Sequence, residues 1–415
     1  MRKHTSFLWS VFIHSISAFG GPQGHLGMMI KTFVEKRKDL SYKELTDINA
    51  FCLLMPGATS TQTLTLIGYK RGGAKLALLT LLIWICPAVF LMSAFSLLIA
   101  SKYSTYSLSL FVYLLPMALG FLLFAAVKSL LLLKSCYTRL LTVLSTILTF
   151  LFFKSPWIFP VVLLIAVLFS LALPKSNAQK SAHPTRKTKW GIFIVFVLIF
   201  ASSVFLSESA RTNNWKERTI FNLSENMLRF GSIVFGGADV LIPVMYEQYV
   251  VRPKSNKVAM YNQNVIKIKS ADFLTGAGIV RVIPGPAFSI TAYIGGLAMS
   301  NRGVFYQLFG CFISAFFIFL PSTFLVLFFY PIWENLHKYV FLENITISIN
   351  AAVIGIMIAS IIYLTRDTIL PFFSLSNNTL FTYLSIILFT FLLLFYSRIP
   401  APVIALFCII LGIIF

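Results

Sequence analysis

SAFGGPQGHLG, residues 17 to 27, lies inside an apolar run that otherwise reads as a first membrane-crossing helix. Gly20, Gly21 and Pro22 in succession are what a lipid-facing helix tolerates least. In hydrocarbon every backbone N–H and C=O must find a partner within the protein, so such a break survives only where it is buried or lines a cavity. A helix broken near mid-membrane offers uncapped N–H groups at the start of its second half. Together with the helix dipole, these groups form an anion site. Glycine lets a ligand or another backbone come close, and Pro22 suits the first position of the restarted half-helix. The same Phe-Gly-Gly returns at Phe235, Gly236 and Gly237, again inside an apolar run, so the device is used twice.

Composition fixes the solvent. Of 415 residues, 58% are apolar and only 11% charged, and the mean hydropathy is +0.85. Runs of about 17 to 25 apolar residues, each long enough to cross a bilayer core, follow one another along the chain. The fold class is therefore an all-α integral membrane protein with the lipid bilayer as its first partner. The formal net charge is +21, but Lys and Arg are scattered through short connections and form no basic face, which argues against nucleic acid. Such loops set orientation and meet anionic headgroups. Cys52, Cys86, Cys136, Cys311 and Cys408 lie in or beside apolar segments without metal-ligand spacing and are expected to be small core residues, so no metal or cofactor is implied. The basic start and apolar middle of residues 1 to 21 imitate a signal peptide. The repeat described next includes them, and they are read as a retained helix.

Apolar runs at 6–30, 46–69, 76–100, 107–133, 139–153 and 157–173 make one half, and those at 228–250, 272–298, 304–330, 345–364, 379–396 and 400–415 make the other. Four anchors recur in order: Phe19-Gly20-Gly21 with Phe235-Gly236-Gly237, Pro56-Gly57 with Pro284-Gly285, Arg71-Gly72 with Arg302-Gly303, and Pro87 with Pro321. Their offsets are 216, 228, 231 and 234 residues. The expected organisation is a first repeat at 1–173, a basic linker with a linker helix at 174–227, and a second repeat at 228–415, each repeat holding five or six broken or re-entrant spans. Six crossings per repeat plus a linker helix would invert the repeats. Re-entrant Pro-Gly segments would make them parallel, and the five Lys or Arg carried by each of the loops Lys31–Lys43 and Arg252–Lys269 mildly favour that alternative.

The second kind of break carries more chemistry. In MPGATSTQT, residues 55 to 63, Pro56 and Gly57 interrupt the run, and Thr59, Ser60, Thr61 and Gln62 supply hydroxyl and amide donors. Its partner is VIPGPAFSI, residues 282 to 290, with Pro284, Gly285 and Pro286. Arg281 stands just before it, where an uncompensated charge costs about 2.5–3.5 kcal/mol. It is the residue expected to meet a bound anion, against the alternative of a structural pair with Asp239 or Asp272. His25 and Asp239 follow the two Phe-Gly-Gly breaks and are candidates for proton coupling or for pairing with Arg281. Ser41 and Glu44 have the spacing of a capping box. The four breaks are expected to converge on one cavity near the bilayer centre.

FGGPQGH, VEKRKDLSYKEL, the Pro-Gly break, GYKRGG, the second FGG and IPGP together resemble the chromate ion transporter family in its long-chain, two-domain form. The resemblance runs from about Phe7 to Pro331 by motif. It implies a carrier of a tetrahedral oxyanion, chromate with sulfate as the look-alike, usually exporting chromate, and repeats of opposite orientation, which is adopted here. Its motif residues fall on Gly20, Gly21, Pro22, His25, Pro56, Gly57, Gly236, Gly237, Pro284, Gly285 and Pro286. The chain departs from the family pattern in three places: Ala58 replaces the second proline of the first Pro-Gly-Pro, Ala238-Asp239 replaces a third glycine, and the basic, acid-containing stretch after the first break is degraded to VVRPKSNK in the second repeat. An aspartate at 239 repels a dianion unless it is protonated or paired. No GxxxxGK[ST] signature is present, so ion or substrate gradients must drive a secondary carrier. The alternatives are an intramembrane enzyme, for which no nucleophile and base occur at usable spacing, and an anion channel. A plasma-membrane location is expected, and a homo-oligomer is left open.

Overall fold

The computed structural model describes residues 4–19, 21–101, 113–131, 133, 135–155, 157–171, 190–254, 265–336, 341–369, 377–397, 399 and 401–414. Every regular element among them is helical. The first half contains α1 (Thr5–Ser17), α2 (Gly21–Met29) running into a π-helical turn at Ile30–Lys36, α3 (Tyr42–Leu53), α4 (Thr59–Ala100), α5 (Leu114–Leu131), α6 (Cys136–Leu151) and α7 (Ile158–Ser170). After α8 (Trp190–Thr212) come α9 (Arg218–Ile233), α10 (Ala238–Tyr246) with a π turn at Glu247–Val251, and α11 (Ser270–Ile279). They are followed by α12 (Ile290–Met299), α13 (Val304–Leu336), α14 (Phe341–Ile369), α15 (Asn377–Tyr396) and α16 (Ala401–Ile414).

The breaks fall where the sequence places them. The first apolar run divides into α1 and α2 at Phe-Gly-Gly, the second into α3 and α4 at Pro56-Gly57, and the run at 272–298 into α11 and α12 around Pro284-Gly285-Pro286. Ser41 accepts from the Glu44 amide while the Glu44 carboxylate accepts from the Ser41 amide, so the capping box opens α3. Lys70 donates to the same carboxylate at 2.9 Å. Lys70 first, and the Ser41 amide second, hold Glu44 down to about 2. α4 joins two of the expected spans across a kink at Gly72 and Gly73, the latter with φ +67°, as glycine pairs permit.

One boundary moves. The apolar run of the second repeat begins near 228, but α9 begins at Arg218. The sequence RTIFNLSENMLRF is polar by composition yet amphipathic at helical spacing, and it buries Leu223, Met227, Leu228 and Phe230 on one face. The linker tract 174–189 lies outside the described residues. The cysteines divide: Cys52, Cys311 and Cys408 are buried as expected, whereas Cys86 and Cys136 are exposed. Both exposed positions sit on outward faces of α4 and α6, among exposed leucines such as Leu82 and Leu140, so in this solvent an apolar residue does not have to be internal.

The two halves interlock. α14 packs along α6, α15 along α5, and α12 and α13 against α4, while α8 lies over α9 and α13. Small residues allow this closeness: a Cβ on Gly295 of α12 would meet the Gly310 carbonyl of α13 at 2.3 Å, and one on Gly231 of α9 the Ile318 carbonyl at 2.5 Å. Polar side chains bridge the halves in the interior. Gln307 donates to the Ser96 carbonyl at 2.9 Å, Thr142 to that of Ala351 at 3.0 Å and Thr146 to that of Gly355 at 3.2 Å. The outer surface is apolar, with Phe90, Phe205 and Phe305 fully turned outward. Four of the described helices are individually long and apolar enough to span a bilayer: Thr59–Ala100, Trp190–Thr212, Val304–Asn335 and Asn344–Arg366.

Candidate functional site

The four breaks meet in two reciprocal pairs. The Gly57 amide donates to the Val234 carbonyl at 2.8 Å, and the Gly285 amide donates to the Ala18 carbonyl at 3.0 Å. Ala18 and Val234 each precede a Phe-Gly-Gly and are related by its 216-residue offset, as Gly57 and Gly285 are by 228. Each Pro-Gly break is therefore bonded to the Phe-Gly-Gly break of the other half. The residues behind the two crossings are related in the same way. A Cβ on Gly57 would meet Ser322, next to Pro321, and one on Gly285 would meet Ala88, next to Pro87.

Glycine is required at these crossings. Gly57 has φ +112° and Gly285 φ +104°, both in the region that L side chains rarely adopt. Two of the freed amides are thus relieved by backbone across the repeats, so satisfying them does not by itself require water at the crossing.

Each repeat also ties its own two breaks together through side chains, and the two repeats do it differently. In the first, His25 on α2 and Ser60 on α4 share a buried hydrogen bond of 3.1 Å. The Trp84 ring lies edge-on to His25 at 5.3 Å, and its indole N–H donates to Thr61 at 3.0 Å. In the second, Arg281 beyond α11 donates through Nη1 to Asp239 in the first turn of α10 at 2.6 Å. By the motif offsets, Leu241 and Phe288 stand where the first repeat has His25 and Ser60, and Gln23 and Leu53 where the second has Asp239 and Arg281. The charged pair therefore belongs to the second repeat alone.

Arg281 is the most telling residue. Its side chain is 11% exposed and that of Asp239 12%. Of the two alternatives for Arg281, the pair with Asp239 is present, yet its Nε and Nη2 are buried without a hydrogen-bond partner among the described residues. A buried guanidinium with spare donors is costly in a dry interior. It carries the chemistry of an oxyanion receptor, since planar paired N–H groups match two oxygens of a tetrahedral anion.

The remaining sequence-selected residues take supporting positions. Thr59 opens α4 and is buried. Gln62 donates to the Pro56 carbonyl at 2.6 Å, closing the break from inside, and its Oε1 is buried without a partner among the described residues. Gly237, with φ +77°, precedes α10 as its N-cap, and Gly236 has φ +89°. Pro284 is half-buried, and Pro286 is the extended residue before the short turn leading into α12. Gly21 opens α2 at φ +70°, so Pro22 is the first position able to take helical dihedrals. Gly20 lies outside the described residues.

His14 escaped the sequence reading. It is buried on α1, its ring lies 5.2 Å from that of Trp84, and neither ring nitrogen has a partner among the described residues. The signal was present as a polar residue on the inner face of an apolar run, but such residues are common in membrane helices. Only the fold brings His14 and His25 to the same indole. Among the described residues no group of acidic, His or Cys side chains could hold a metal.

Crossed, broken helices in an apolar exterior, with a buried ion pair at a break, define a multi-pass membrane protein. The chain belongs to the chromate transporter family, which it matches over residues 5–172 and again over 221–413. It is also similar to an uncharacterized transporter of Methanocaldococcus jannaschii, 22% identical over 355 residues that make up 82% of this chain and 79% of the relative. No solved structure matches the chain significantly.

Proposed function

We propose that the protein is a secondary carrier that moves a tetrahedral oxyanion, chromate outward in the first instance and sulfate by likeness, across the plasma membrane, and that it is not an enzyme. The observation that carries the reading is Arg281, buried at a helix break with Nη1 on Asp239 and with Nε and Nη2 unpartnered among the described residues. A dianion arriving at the crossing takes Nε and Nη2 and competes with Asp239 for Nη1. Asp239 is then released, to be neutralised by a proton or by another cation. Flux is coupled through that exchange to a cation, in the first instance a proton.

The breaks contribute in three ways. Gly20, Gly21, Pro22, Gly236 and Gly237 shape the two Phe-Gly-Gly ends, and Pro56, Gly57, Pro284, Gly285 and Pro286 shape the ends that cross them. Thr59, Ser60 and Gln62 supply neutral donors, and His25 supplies a group able to change its hydrogen bonding as the anion passes. Reciprocal bonding of the breaks supports a pseudo-twofold relation between repeats at 1–173 and 228–415, with the segment 174–227 joining them. Inverted orientation would let the same crossing open first to one side and then to the other.

Uptake of radiolabelled sulfate and of chromate into inverted vesicles, with and without a pH gradient, tests this reading. Saturable uptake that depends on the gradient is expected. Flux no greater than in vesicles lacking the protein would refute it.

A further inference from the structure

A second polar feature lies away from the crossings, where the ends of several helices meet at one rim of the molecule. One wall is the turn after α6, with Phe153 and Lys154. Arg229 of α9 and Glu247 and Arg252 at the end of α10 form another, and Tyr363 and Arg366 near the end of α14 form the third. Phe153 and Lys154 line both lobes of the cleft, whose volumes are about 30 and 290 Å³. Its floor is aromatic, with Phe153 stacked on Tyr363 at 4.2 Å between ring centroids.

The charges in this cleft do not cancel. Glu247, its lining carboxylate, accepts from the Tyr363 hydroxyl. Arg229 is engaged by Glu225 at 3.4 Å and by Asn226. Among the described residues Arg252 has only a neutral partner, Gln248, at 3.1 Å. Lys154 and Arg366 are exposed and make no hydrogen bond or ion pair with any described residue. Three cations are thus left facing one opening with no acid of their own among the described residues. Beside them lies an apolar apron: Leu151 is 66% exposed, Phe152 57% and Trp157 71%. In a multi-pass membrane protein an apron of this kind at the end of a helix faces acyl chains, and an exposed tryptophan there sits at headgroup level.

We infer that this cleft binds the headgroup of an anionic phospholipid, with the phosphate on Lys154, Arg252 and Arg366 and the acyl chains along Leu151, Phe152 and Trp157. The cations alone would also attract a free oxyanion, but a free oxyanion has no use for the apron. Charge and apolar surface together select the lipid. The walls come from both halves of the chain, so the bound lipid clamps the turn after α6 to the ends of α10 and α14.

The test is thermal unfolding of the purified full-length protein in neutral detergent with added short-chain phosphatidylglycerol, short-chain phosphatidylcholine, or inorganic phosphate. Phosphatidylglycerol should raise the midpoint, and the other two should leave it close to the lipid-free value. In Lys154→Gln/Arg366→Gln the half-saturating phosphatidylglycerol concentration should rise about twenty-five-fold, since each such cation near the surface contributes roughly a factor of five. An equal shift from phosphate alone would make this a free-anion site, and an equal shift from phosphatidylcholine would remove charge recognition. An unchanged titration in the double variant would place the lipid elsewhere. If the double variant does not fold, native mass spectrometry of the wild type and Arg252→Gln decides. Retained phosphatidylglycerol that falls in the variant supports the site, and equal retention overturns it.

Discussion

Replacing Gly57 by alanine should damage the crossing in two separable ways. At φ +112° an L side chain is strained, which costs about 1–3 kcal/mol. The new Cβ would also lie 2.0 Å from Ser322 Oγ and 3.1 Å from Ser322 Cβ, on a helix of the other half. Relieving that clash means shifting packed backbone or side chain, at about 1–3 kcal/mol more. Gly57→Ala should therefore lose about 2–6 kcal/mol of folding free energy. Ser322→Ala alone removes only a long 3.4 Å contact from the Ala58 amide and should cost about 1 kcal/mol or less. In the double variant the closest atom is gone, so about 1–2 kcal/mol of the Gly57→Ala loss should return while the backbone strain persists. Reversible unfolding of the four proteins in mixed micelles, titrated with a denaturing detergent, gives the cycle directly. Strict additivity would show that Gly57 and Ser322 do not meet across the repeats, and the crossing would then be wrong. Gly285→Ala is the internal comparison. Its Cβ would find Ala88 Cβ at 3.0 Å and nothing nearer, so strain should dominate and no single partner change should rescue it.

Two further outcomes follow from the charged groups. Asp239→Asn should lower the oxyanion concentration that half-saturates flux without abolishing flux, because the neutral amide competes less with the substrate for the Arg281 guanidinium. Superimposable saturation curves of mutant and parent would leave Asp239 as a fixed salt bridge. Asp39, with a side chain only 4% exposed, receives Arg37 Nε at 2.9 Å and also Arg71 Nη1. Both guanidiniums also lie over the Phe7 ring, at 5.9 and 5.1 Å. Asp39→Asn strands two partly buried cations and should cost about 1–3 kcal/mol in the same unfolding assay, and a loss below a few tenths would show that water already screens them.

Much of this architecture was legible in the chain because membrane helices obey few rules. Long apolar runs, Phe-Gly-Gly and Pro-Gly interruptions and the Ser41–Glu44 capping box are local signals with local causes, and each appears where its residues are. The start of α9 was missed because the hydropathy of RTIFNLSENM hides an amphipathic face. The exposed Cys86 and Cys136 were placed inside because lipid and protein interior are equally apolar. Partner choice at the site was beyond local reading. That Gly57 meets Val234 and Gly285 meets Ala18 depends on how the halves interlock. Arg281 was recognisable as a buried cation, but its choice of Asp239 over Asp272 is a matter of where α10 and α11 end. His14 gave no signal that separates it from any polar residue in a span until Trp84 brought it beside His25.

The central claim, that Arg281 at the crossing receives the transported oxyanion, is tested most directly by substrate counterflow in proteoliposomes. Wild type, Arg281→Lys and Arg281→Gln should be reconstituted to equal density and loaded with sulfate or chromate. Wild type should accumulate labelled oxyanion against the preload, Arg281→Lys should keep a reduced share through its point charge, and Arg281→Gln should fall to the level of empty liposomes. Undiminished counterflow in a well-folded Arg281→Gln would contradict the account and leave Arg281 as no more than the structural partner of Asp239.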